Sequence, residues 1–85
     1  MSMADVLRNE LREAIDRARV AQEIYGDFAS MHEAYGVLAE EFAELLEAIR
    51  IRRDSSHRPQ DIRNEALDIA AVALRIAEQA HKVKR

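Results

Sequence analysis

The chain has 85 residues, 48% of them hydrophobic, with a formal net charge of -3, two glycines, one proline and no cysteine. That size allows one domain, spanning residues 1–85, with a marginal core of its own, and the lack of cysteine excludes a disulfide framework and any thiolate metal site. An acidic pI of about 5.6 argues against a dedicated nucleic-acid binder, which presents a basic face, and the absence of signal-peptide features or an apolar run of ~20 residues points to a soluble cytoplasmic protein with no membrane contact.

The elements read as all-α. Ser2 with Asp5 three residues on is a capping box that opens a first helix. Leu7, Leu11, Ile15 and Ala18 then recur at helical spacing, with arginines and acids between them, up to Gly26, a natural terminator. Ser30 with Glu33 is a second capping box. The helix that follows places Tyr35, Leu38, Phe42, Leu45, Leu46 and Ile49 on a core face and runs to about Arg52. Gly36 lies inside it and costs on the order of 1 kcal/mol against alanine, which a close backbone or ligand approach would offset. The polar run Arg53–Pro59 is the connecting loop. A third helix, about Gln60 to Lys82, is interrupted between Ala66 and Ala77 only by Asp68 and Arg75, so burial nearly all round is expected. The basic clusters Arg50, Arg52, Arg53 and Lys82, Lys84, Arg85 are placed as helix-end cations complementing the dipole.

Acids at one-turn spacing carry the chemistry. Glu41 and Glu44 share one helix face, as do Glu65 and Asp68. Packed side by side, the second and third helices gather four carboxylates whose mutual repulsion requires protonation or a cation. Asp68 is the sharpest anomaly, because a carboxylate in an apolar helix costs several kcal/mol unpaired and its own helix offers no cation one turn away. A di-iron site would need a histidine three residues after Glu41 or Glu65, where Glu44 and Asp68 stand instead. An all-oxygen set suits a hard cation, Mg²⁺ or Mn²⁺.

Taken together, Glu40-Glu41-Phe42-Ala43-Glu44, twenty intervening residues and Glu65-Ala66-Leu67-Asp68 resemble the paired acidic motif, EExxE then ExxD, of the MazG-like all-α nucleoside triphosphate pyrophosphohydrolases. The likeness covers about Met31 to Ala80, and both halves match in residue type and order. It implies Mg²⁺-dependent hydrolysis of an NTP or dNTP between the α and β phosphates, giving the monophosphate and pyrophosphate, in a house-cleaning role. It implies Glu41, Glu44, Glu65 and Asp68 as metal-binding acids. Either Glu41 or Glu44 would take the proton of the attacking water. It also implies a helical bundle completed as a homodimer or dimer of dimers. In this three-helix protomer, the second and third helices of two copies would form the four-helix core. The competing reading is a non-catalytic helical dimer that senses nucleotide or mediates an interaction.

Substrate recognition needs a surface for the base and cations for the phosphates. Tyr25, Phe28 and Tyr35 gather near the first chain reversal, either stacking on a base or plugging the core. His32 is a polar contact for base or sugar. Arg63 and Lys82 are candidate phosphate contacts, with pairing to a nearby glutamate as the alternative for Arg63.

Overall fold

The computed structural model describes the backbone of residues 1–50 and 58–83. It contains α1 (Met3–Tyr25), α2 (Met31–Arg50) and α3 (Arg58–Val83), with no strand among the described residues. None of these helices is long and apolar enough to cross a membrane. The expected Arg53–Pro59 loop falls mostly outside the described residues, as do Arg52, Lys84 and Arg85.

The local signals act as their chemistry requires. The Asp5 N–H donates to Ser2 Oγ at 3.1 Å and the Ser2 N–H donates to the Asp5 carboxylate at 3.3 Å, so two free helix-end donors are satisfied reciprocally. Gly26 ends α1 at φ 70°, backbone that glycine adopts without a Cβ penalty. Its N–H donates to the Gln22 carbonyl at 2.9 Å. The Glu33 N–H donates to Ser30 Oγ at 3.0 Å, while the Glu33 side chain reaches back to the Ala29 N–H instead of the cap residue.

The long α3 is the shared support: α1 and α2 each pack along it. Phe28, Ala34 and Val72 form the buried cluster, with Val37, Leu38 and Ile76 packed against it. The intrachain core is thin. Of the buried hydrophobic residues Ala14, Phe28, Ala34, Ala48, Leu67, Ala71 and Val72, only Phe28, Leu67 and Val72 are larger than alanine.

Three expectations about burial are corrected. On α2, Leu38 and Leu45 are half-buried, but Tyr35, Phe42, Leu46 and Ile49 are exposed. On α3, the buried residues include Leu67, Ala71, Val72, Arg75 and Gln79, whereas Ala66, Ala73, Leu74 and Ala77 face outward. A Cβ on Gly36 meets nothing within 4 Å, so no described residue makes a close approach there. The cause is common to all three: periodicity marks a face that needs covering, but one chain with three helices covers α3 on two sides only.

Polar forks fasten α1 and the linker to α3. Arg63 donates from Nε and Nη2 to the Glu10 carboxylate at 2.7 and 2.6 Å. Arg75 donates to Gln22 at 3.2 Å and to the Gly26 carbonyl at 3.0 Å, with its guanidinium 4.3 Å from the Phe28 ring centre. Buried Gln79 pairs with both backbone groups of Phe28, accepting from its N–H and donating to its carbonyl, each at 2.9 Å.

Candidate metal centre and cleft

One-turn spacing on α2 and α3 brings carboxylate oxygens of Glu41, Glu44 and Glu65 within 4.8 Å of one another. Glu41 Oε1 and Glu65 Oε1 are buried and accept no hydrogen bond. Burial, then the charges of Glu44, Asp68 and Glu65, pushes the Glu41 carboxyl up to about 7. Glu65 is also raised, by burial first and then by Glu44 and Asp68. Two sheltered oxygens without donors, beside further acids, carry an electrostatic cost that a proton or cation removes. An all-oxygen donor set of this kind fits a hard divalent ion.

Asp68 differs from its sequence reading. Its side chain is 42% exposed, and Oδ1 accepts from Arg17 Nη1 at 2.9 Å. The neutralising partner does lie outside its own helix, as its isolation in α3 requires, but it comes from α1. Asp68 stands close enough to raise both Glu41 and Glu65, yet it is not one of the three mutually close acids. Arg17 also donates to the Asn64 carbonyl at 3.0 Å, the Asn64 side chain at 2.9 Å and Glu13 at 3.0 Å. Sequence reasoning placed Arg17 only on a solvated face. The available signal was the stripe Glu10, Glu13, Arg17 at helical spacing, complementary in charge to Arg63 and Asp68.

A cleft of about 580 Å³ opens between α1 and α2, within the roughly 300–1,000 Å³ range of small-ligand sites. Its lining includes Arg17, Glu41 and Asp68, together with Tyr25, Asp27, Phe28, Glu33 and Arg75. Val72 is among the α3 residues that line it.

The proposed substrate contacts are placed elsewhere. His32 is exposed, Tyr35 is 70% exposed, and neither lines the cleft. Arg63 is forked on Glu10, and Lys82 bridges Asp27 at 3.0 Å and Glu78 at 3.4 Å. Phe28 takes the core role, with Arg75 over its ring, while also lining the cleft.

No protein-family model, curated protein or solved structure matches the chain. The likeness to the MazG-like enzymes thus rests on acid spacing.

The chemistry of the arrangement follows from its gradient of exposure. Glu41 and Glu65 offer sheltered oxygens suited to holding an ion, Glu44 is exposed beside them, and the cleft is lined by Glu41 and Asp68 and by two aromatic rings. A charged group bound near the acids and an aromatic group bound near Tyr25 and Phe28 would occupy one continuous groove.

Proposed function

We propose that the chain is a Mg²⁺-dependent nucleoside triphosphate pyrophosphohydrolase of the MazG-like kind, acting as a homodimer or dimer of dimers. The observation that carries this reading is the pair of buried, unpartnered oxygens on Glu41 and Glu65, two acids that with Glu44 bring carboxylate oxygens within 4.8 Å of one another, Glu41 also lining the cleft. Glu41, Glu44 and Glu65 would hold Mg²⁺, or Mn²⁺ in its place, with Asp68 as the adjoining fourth acid. The bound ion would supply charge neutralisation of the triphosphate and a lowered pKa for water. Water attacks the α-phosphorus, the bond to the bridging oxygen breaks, and pyrophosphate leaves with the electron pair. Glu41 or Glu44 would accept the water proton.

Dimerisation has separate support in the exposed apolar residues Leu7, Leu11 and Ile15 on α1 and Phe42, Leu46 and Ile49 on α2. With so few large buried side chains, a second copy would supply missing core.

Incubation with NTPs and dNTPs plus Mg²⁺ is expected to release pyrophosphate, and Glu65→Gln to abolish it. Release of orthophosphate alone, or full turnover by Glu65→Gln, contradicts the hydrolase. A second reading, a non-catalytic nucleotide-sensing or interaction module, draws on Arg17 engaging Asp68 and on Arg63 and Lys82 being paired away from the acids. It is distinguished by a Mg²⁺-dependent rise in melting temperature without any turnover.

A further inference from the structure

We propose that Arg17 is an exchangeable latch: its guanidinium holds Asp68 and would transfer to a phosphate oxygen when metal and a triphosphate bind. The inference rests on the reading of the acids as a metal centre, and it adds a positioning and phosphate-binding residue from α1.

Arg17 presents five N–H donors. Nε–H goes to Glu13, Nη1 serves the Asn64 carbonyl and Asp68 Oδ1, and Nη2 serves the Asn64 side chain. The Asn64 and Glu13 contacts fix the stem and plane of the fork independently of Asp68. One donor therefore exchanges partners without releasing the helix, and Nη2 retains a further hydrogen for a second oxygen. Asp68 accepts from no other group among the described residues, so its charge is neutralised by Arg17 alone.

Three other described cations have fixed duties. Arg75 is buried against Phe28 and bonded to the Gly26 carbonyl, Arg63 is forked on Glu10, and Lys82 is paired with Asp27. Of the two arginines lining the cleft, Arg17 is the one beside Glu41 and Asp68. A phosphate placed beside Asp68 thus meets the Arg17 guanidinium, in the planar geometry that arginine offers to oxyanions. With a divalent ion held by Glu41, Glu44 and Glu65, Asp68 would gain a second source of neutralisation, its claim on Arg17 would fall and the phosphate would take over the freed N–H.

The test is calorimetric titration of the full chain with Mn²⁺ alone, then with inorganic tripolyphosphate at saturating Mn²⁺, for wild type, Arg17→Ala and Arg17→Lys. Arg17→Ala is expected to bind Mn²⁺ tighter and Mn²⁺–tripolyphosphate weaker, each on the order of tenfold, with Arg17→Lys between it and wild type. Asp68→Asn combined with Arg17→Ala is expected to cancel the gain in Mn²⁺ affinity. Both affinities moving in the same direction, or neither moving, overturns the latch while leaving the metal centre standing. Failure of both Arg17 variants to fold assigns Arg17 to the scaffold and overturns it as well. Absence of Mn²⁺ binding by wild type removes the metal centre and the latch together.

Discussion

Glu41→Gln is expected to abolish metal binding and, at the same time, to make the protein more stable above neutral pH. The Glu41 carboxyl is raised from 4.5 to about 7 by burial and by Glu44, Asp68 and Glu65. Between those two values the folded chain holds a proton that the unfolded chain has released. Stability therefore falls as pH rises through this window, and the loss is complete above the folded value. The full shift overstates the effect, because the groove is open to water on one side. After that discount the loss amounts to about 1–2 kcal/mol. Glutamine keeps the shape without the charge, so the variant should melt roughly 5–10 °C higher than wild type at pH 8 and nearly level with it at pH 5. Part of the slope will survive in the variant, since Glu65 is raised by the same surroundings. Mg²⁺ should restore the wild type at pH 8 and leave Glu41→Gln unchanged. Melting curves across pH, with and without Mg²⁺, check all four arms; a flat wild-type profile contradicts the repulsive groove.

Gln79→Leu is expected to cost about 2–4 kcal/mol, because it leaves both backbone groups of buried Phe28 without partners. The side-chain amide makes two 2.9 Å bonds to that single residue, and leucine fills similar space but makes neither. Where the buried hydrophobic residues among those described include only three larger than alanine, such a loss is a large share of total stability. Gln79→Glu is the internal control: it keeps an acceptor for the Phe28 N–H but sets a buried carboxylate against the Phe28 carbonyl, so at neutral pH a loss at least as large is expected, shrinking as the carboxyl protonates at lower pH. Denaturant midpoints of the two variants measure the difference. Equal and negligible losses would mean that the linker holds its shape without α3.

Much of the fold was legible because its signals are local. The Ser2–Asp5 and Ser30–Glu33 pairs and Gly26 fix helix ends through contacts of a few residues, and the acids at one-turn spacing share a face by geometry alone. What escaped was long-range pairing. Arg17 meets Asp68 across 51 residues of sequence, and Arg63 meets Glu10 across 53, so neither pairing leaves a trace in either helix read singly. Arg75 reads as an interruption of an apolar helix, whereas it and Gln79 are both buried and hold the linker. Phe42, Leu46 and Ile49 illustrate a different blind spot: an apolar stripe records that a face needs cover and is silent on whether the same chain or another copy supplies it.

The most direct measurement is the anomalous difference density of crystals grown with Mn²⁺. The expected result is a peak bounded by Glu41, Glu44 and Glu65, with Asp68 turned toward it and away from Arg17. Crystals with Mn²⁺ bound elsewhere or nowhere, and the Arg17–Asp68 pair intact beside an empty acid groove, would contradict the proposed centre.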